Sequence, residues 1–182
     1  LDAKMIELMR EKILANHLDE RVRPIHGNML ALRQILNSRF DVAFCIGNSL
    51  VHLDGQEEIS IFFKDIKQLL ASNGHFVTQI INYDRVLEKN IKSLPTIEVK
   101  DKNLKFHRLY RYDNRINRVF FKTILEVEDN VTENEIPLYP LLSEDMKTLL
   151  QNAGFTNIEM FGDFQKTEFH RDSSYALVVT AY

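Results

Sequence analysis

Seven consecutive residues, Phe40-Asp41-Val42-Ala43-Phe44-Cys45-Ile46, carry a single polar side chain, and the run then breaks into Gly47-Asn48-Ser49. A short apolar run bounded by small polar residues reads as a buried strand. It lacks the in–out alternation of a strand with one wet face, so it predicts a central parallel strand covered on both sides. Parallel strands need long crossovers, usually helical, and this constrains the rest of the chain to an α/β order. After Gly-Asn-Ser the apolar residues resume at once as Leu50, Val51 and Leu53, with His52 among them. A strand that ends in small polar groups inside apolar surroundings looks built to face a ligand.

The flanking segments fit an α/β order. Met5, Ile6, Met9 and Ile13 recur at helical spacing after Asp2, which can cap that helix. A short strand is expected at 22–25, ending at Gly27-Asn28, and a short helix at 29–36. The clearest helix is 57–72, where Ile59, Phe62, Phe63, Ile66, Leu69 and Leu70 form one stripe and Asn73-Gly74 is the stop signal. A strand follows at 75–81. Helix and strand thus alternate three times, as parallel sheets require. The pattern then changes. Segments 104–112 and 116–128 read as an antiparallel hairpin around Asp113-Asn114-Arg115, with a possible continuation over 135–142. Ser143 is the expected cap of a last helix containing Met146, Leu149, Leu150 and Ala153. Strands at 157–161 and 176–182 close the chain. The 182 residues fit one domain, with 85–142 as an insertion covering one end of the sheet.

Composition excludes several classes. The net charge of −3 gives no global attraction to nucleic acid or anionic membrane. No apolar run approaches the roughly 18–20 residues of a membrane span. One cysteine, Cys45, forbids an intrachain disulfide and fits a reducing, cytoplasmic setting. The histidines are scattered without metal-ligand spacing, so no metal is expected. The chain lacks an initial methionine and reads as a piece of a longer polypeptide.

Three expected strand ends carry small polar residues: Gly27-Asn28, Gly47-Asn48-Ser49 and Asn82-Tyr83-Asp84. Ligands of open α/β sheets bind beyond such ends. Asn48 can both donate and accept, so it can hold a polar substrate, or it can simply satisfy its own turn. His52 can bond a ligand or cap the turn. Cys45, inside the apolar run, reads as a small buried hydrophobe rather than a nucleophile. On the hairpin, Lys105, His107, Arg108, Arg111, Arg115, Arg118 and Lys122 interleave with Phe106, Tyr110, Tyr112, Phe120 and Phe121. Basic–aromatic interleaving can bind single-stranded nucleic acid. Plain strand alternation yields the same pattern, and Glu126, Glu128 and Asp129 dilute the charge.

The stretch FDVAFCIGNSLVHL resembles the fourth motif of class I S-adenosylmethionine-dependent methyltransferases, in the form found in glycine and sarcosine N-methyltransferases. Weaker echoes extend the resemblance along the chain: Gly27-Asn28-Met29, Asn82-Tyr83-Asp84, Tyr139-Pro140 and Gly162-Asp163-Phe164. It implies a Rossmann-like sheet ending in an antiparallel strand, with S-adenosylmethionine as cofactor. By the resemblance, Asn28 and Met29 meet the adenine, and Ile46, Ser49 and His52 line the methionine end. Asn48 holds the substrate beside the methyl group, and Tyr83 stands at the neighbouring strand end. The family's glycine-rich loop and ribose-binding acid fall before Leu1, so the 182-residue chain alone is expected to be inactive. Where glycine methyltransferases carry a carboxylate-gripping arginine, this chain has Ile81; Arg108 or Arg111 could supply the charge instead. The implied reaction is in-line methyl transfer to a small molecule, at an amine nitrogen. A nucleic-acid methyltransferase and a non-catalytic methyltransferase-like binding protein are the alternatives.

Overall fold

The computed structural model describes residues 3–182. The expected capping residue Asp2 lies outside them. The helix α1 (Ala3–Ala15) buries only Ile6 and Ile13 of the predicted stripe; Met5 and Met9 face outward with Leu8 and Leu14. Segment 22–25 forms no strand: among the described residues no ladder pairs it with another segment. A 3-10 turn (Met29–Ala31) leads into one turn of helix, α2 (Leu32–Ile35).

Two four-stranded sheets follow. The first has the order β1-β2-β8-β7, made of β1 (Phe40–Cys45), β2 (Leu70–Ile81), β8 (Ala176–Ala181) and β7 (Glu159–Phe161). β1 and β2 are parallel, and β8 lies antiparallel between β2 and β7. The α/β expectation and its closing antiparallel strand are therefore borne out. The position of β1 is not central. Among the described residues it pairs only with β2 and forms the sheet's edge, leaving Val42 55% and Phe44 71% exposed.

Helix α3 (Gln56–Leu69) joins β1 to β2 and buries Ile59, Phe62, Phe63, Ile66 and Leu69, as its spacing predicts. Glu57 and Glu58 sit in its first turn, where the helix dipole favours acids. Phe62, Phe63 and Phe76 meet edge-on or tilted with ring centroids 5.8–6.2 Å apart, the arrangement aromatic quadrupoles favour. Asn73-Gly74 does not end the helix; it lies inside β2. Phe40 pairs with Leu70 and Val42 with His75, so β2 bulges there. Gly74 permits the bulge: a Cβ would meet the Phe40 carbonyl oxygen at 2.9 Å.

The second sheet, β3 (Ser93–Val99), β4 (Leu104–Asp113), β5 (Arg118–Val127) and β6 (Asn130–Leu138), is antiparallel in sequence order. It enlarges the expected hairpin by β3 and by an earlier start of β6. A short helix, α4 (Tyr83–Glu88), leads into it and α5 (Ser143–Asn152) leaves it. The second sheet docks on the first near a 3-10 turn (Ser49–His52). The Tyr139 N–H donates to Val51 O at 2.8 Å, and Arg118 pairs with Asp54 at 2.5 Å. Ser143 does not cap α5 with its hydroxyl. Its buried N–H donates to Asp84 Oδ2 (2.8 Å), a carboxylate from α4. Asp84 Oδ1 lies 2.7 Å from Arg171 Nε, so one buried acid joins α4, α5 and the segment before β8.

Candidate active site

β1 and β2 run parallel, so their carboxyl ends lie together, and Asn48 and Tyr83 meet at that corner. Gly47 and Asn48 both have positive φ, 74° and 64°. Glycine and asparagine adopt this region at least cost, which explains this pair at the turn. No protein atom lies within 4 Å of a Cβ built on Gly47, so this backbone faces open space. The turn is fastened to β2: Gly47 N–H donates to Gln79 Oε1 at 2.9 Å, and Thr78 Oγ1 donates to Cys45 O at 3.0 Å.

Asn48 is bonded through both ends of its amide. Its Oδ1 accepts the Ile81 N–H at 3.0 Å, and its Nδ2 donates to Tyr83 Oη at 3.1 Å. The side chain thus links the end of β1, the end of β2 and the start of α4. Tyr83 is fully buried, and burial raises its phenol well above the ordinary range, although the bond from Asn48 acts the other way. The phenol stays neutral and keeps a proton to donate. Asn82 fixes the same corner, donating to Arg171 O and Ser174 O (each 2.9 Å) and accepting the Arg85 N–H.

A cleft of about 630 Å³ brings Asn28, Met29 and His52 together with His26, Gly27 and Leu53. The exposed Asn28 accepts the Leu30 N–H on its Oδ1 at 3.0 Å and caps the 3-10 turn. Ser49 is turned inward on its own loop, donating from Oγ to Ile46 O at 2.8 Å. Burial pushes the Cys45 thiol up to about 11, which keeps it unreactive.

The two arginines proposed for substrate lie on opposite faces of the second sheet, because alternate residues of a strand do. Arg111 pairs with Glu135 (3.4 Å) and lies over the Phe120 ring (4.1 Å) on the outer face. There Lys122 meets Glu133 (2.6 Å) and His107 meets Glu126 (3.4 Å). Three of the seven basic residues of the stripe are thus matched by acids across strands, and Arg115 and Arg118 pair instead with Asp113 in their own turn and Asp54 in a loop. Arg108 shares the inner face with Tyr110. Burial, with Tyr175 adding and Arg108 opposing, pushes the Tyr110 phenol up to about 12.

Sequence reasoning missed Asp84, Gln79 and Thr78 as fastenings of this corner. Each acts on a partner 32 to 59 residues away, so no local pattern marks it. Among the described residues no cluster of three His, Cys, Asp or Glu could hold a metal ion. No described helix is long and apolar enough to cross a membrane.

The topology and this strand-end site define the Rossmann-like fold of class I methyltransferases. The CcbJ methyltransferase from Streptomyces caelestis superposes with a TM-score of 0.84 at 22% identity, covering 99% of this chain and 75% of that one. An S-adenosylmethionine-dependent methyltransferase from Clostridium acetobutylicum follows at 0.83 and 16%, covering 100% and 72%. A glycopeptide N-methyltransferase complexed with S-adenosylmethionine shares the fold at 0.62 and 13%, covering 100% and 69%. In sequence the chain is similar to a glycine/sarcosine N-methyltransferase of Aphanothece halophytica, 28% identical over 158 residues, 87% of this chain. A protein of the same name from Parasynechococcus marenigrum is 23% identical over 162 residues, 84% of this chain. The chain spans 57% and 52% of the lengths of these two relatives. No family model matches it. The resemblance carried by FDVAFCIGNSLVHL is borne out.

Proposed function

We propose that the complete polypeptide transfers a methyl group from S-adenosylmethionine to a small molecule, at an amine nitrogen. The carrying observation is the cleft that gathers Asn28, Met29 and His52 beside the carboxyl end of β1. That is where open α/β sheets receive ligands. The residues suit the cofactor: an exposed amide, a half-buried thioether and an imidazole in the cleft, with the Gly47 backbone at the strand end open to close approach. In this assignment Asn28 and Met29 meet the adenine, and Ile46, Ser49 and His52 border the methionine end. N-methylation in the names of the sequence relatives supports the reaction class.

Bound there, S-adenosylmethionine supplies an electrophilic methyl group, which a neutral amine attacks without help from a strong base. The chain's task is then placement and exclusion of water. Asn48 is locked by two hydrogen bonds, so it holds the corner of the site rigid. The neutral Tyr83 phenol offers a donor next to it. The sheet β3–β6 is the substrate-side insertion, a wall raised beside the strand ends. A nucleic-acid acceptor finds less support, because Arg111, Lys122 and His107 are matched by Glu135, Glu133 and Glu126. The unpaired edge of β1 is where further strands of the complete polypeptide would join the sheet.

Calorimetric titration of S-adenosylhomocysteine into the complete polypeptide and into the 182-residue chain tests this reading. Micromolar binding by the complete polypeptide alone, with methyl transfer to amines, is expected. Binding by neither refutes it, and binding without turnover on a broad amine panel favours a non-catalytic relative.

A further inference from the structure

The cleft beside the carboxyl end of β1 has a charge pattern of its own. It is lined by His26, Gly27, Asn28, Met29, His52 and Leu53. Among the described residues the two imidazoles are its titratable groups, and no carboxylate lines it. Both histidines are exposed. His52 ends the 3-10 turn Ser49–His52, whose Leu50 and Val51 are fully buried, and Leu53 after it is buried too. The backbone that carries the imidazole is therefore anchored in the core, while the ring itself stands in the cleft.

The charged side chains on the elements packed around this turn lie elsewhere. They are Asp54 on the same loop, Glu57 and Glu58 at the start of α3, Arg33 of α2, Arg118 of β5 and Glu135 of β6, and none lines the cleft. Asp54 pairs with Arg118, and its N–H donates to Glu58 Oε2 at 2.7 Å. Glu135 pairs with Arg111 on the outer face of the second sheet. A cation in the cleft thus meets two imidazoles and no opposing charge from these residues.

The two forms of the cofactor differ in the one respect that such a cleft can read. S-adenosylmethionine carries a sulfonium charge; S-adenosylhomocysteine, left after methyl transfer, carries a neutral thioether in its place. Their amino and carboxylate groups are the same. Imidazole takes up a proton between roughly pH 5 and 8. Once charged, it repels the sulfonium and leaves the thioether unaffected, and its attraction to the carboxylate cancels between the two ligands. Like charges sharing a cleft, screened by water, change affinity roughly 3- to 10-fold.

We infer that His52, with His26 in the same cleft, shifts the site's preference from S-adenosylmethionine toward S-adenosylhomocysteine as pH falls, so that acid leaves the enzyme held by its own product. The inference rests on the methyltransferase reading above and on the cofactor's place in this cleft. Linkage makes the effect reciprocal: bound S-adenosylmethionine must weaken the imidazole's hold on its proton, relative to S-adenosylhomocysteine, by the same factor.

The test uses the complete polypeptide, titrated calorimetrically with each ligand from about pH 7.2 to about pH 5.2. The ratio of the two Kd values should move toward S-adenosylhomocysteine by roughly 3- to 10-fold. In His52→Gln most of that movement should vanish, and in His26→Gln a smaller part. His107→Gln, on the outer face of the second sheet, should keep it. Where His52→Gln does not fold, NMR titration of the wild-type imidazoles decides: His52 should lose its proton at lower pH in the S-adenosylmethionine complex than in the S-adenosylhomocysteine complex. A ratio constant with pH, a movement that survives in His52→Gln, or equal His52 midpoints in the two complexes overturns the inference while the methyltransferase reading stands. Loss of the movement in His107→Gln as well assigns it to the whole fold and also overturns the inference. Failure of the wild type to bind either ligand at about pH 7.2 overturns both.

Discussion

Replacing Asp84 should destabilise the protein more than any other single change near the site, and the size follows from its contacts. The carboxylate is buried and accepts the buried Ser143 N–H at the first turn of α5. In Asp84→Ala that N–H loses its partner, which costs about 1–3 kcal/mol. The favourable meeting of an anion with the helix N-terminus, worth about 0.3–1 kcal/mol, is lost as well. The ion pair with Arg171 adds little, because the Arg171 side chain is 61% exposed and screened by water. Relief of the buried carboxylate's desolvation offsets part of the loss. The net expectation is about 2–3 kcal/mol, or a fall in Tm of roughly 5–10 °C for a domain of this size. Asp84→Asn retains an acceptor oxygen and should lose about 1 kcal/mol. Arg171→Ala should lose less than Asp84→Ala. Urea unfolding of the three variants, followed by circular dichroism, reads these differences. Equal losses in Asp84→Ala and Asp84→Asn would refute the capping argument, as would a loss below about 0.5 kcal/mol in Asp84→Ala.

Two further outcomes are expected. Asn48→Ala and Tyr83→Phe remove two ends of one hydrogen bond, so a double-mutant cycle on stability should show coupling of about 0.5–1.5 kcal/mol; additive losses would mean that the 3.1 Å contact carries no energy. Stability should also fall in alkali. Folded Tyr110 holds its proton to about 12 and Cys45 to about 11, against ordinary values of 10.0 and 9.0. Between those limits the unfolded chain loses protons that the folded one keeps, so stability is full below about pH 9 and declines as pH rises through the folded values. Tyr110 alone contributes roughly 3 kcal/mol, and a stability profile in Tyr110→Phe that declines as steeply as the wild type would contradict this.

Local patterns reported what local forces decide. The stripe of α3 was legible because burial repeats with the helical period, the strand β1 because a short apolar run ends in small polar residues, and Gly47-Asn48 because a positive φ demands such residues. The edge position of β1 was not legible, since an apolar run reads the same whether or not a second neighbour pairs with it. Asn73-Gly74 misled for a similar reason: the dipeptide that ends a helix also suits a bulge, and only the approach of Phe40 O to Gly74 distinguishes them. Asn28 and His52 stood out as polar groups at expected strand ends, Met29 entered through the resemblance, and the fold brings the three to one cleft. Asn48 was noticed as a donor and acceptor, but its partners Ile81 and Tyr83 come from a strand and helix that no spacing rule connects to it. Arg108 and Arg111 looked equivalent in sequence, and only the ladder register separates them.

That register has a consequence for how the molecule can vary. Arg108 faces Thr123 and Arg111 faces Phe120 across the same pair of strands. Deleting one residue from the middle of β4 would exchange the two faces over the rest of that strand. It would carry an acid-matched surface inward and strand core side chains in water. Length changes are therefore tolerable only in the turns between the strands of the second sheet, while single substitutions at inner positions can alter recognition without disturbing the outer lattice of charge pairs. Lineages carrying this sheet should differ in loop length and inner-face chemistry, and agree in strand phase.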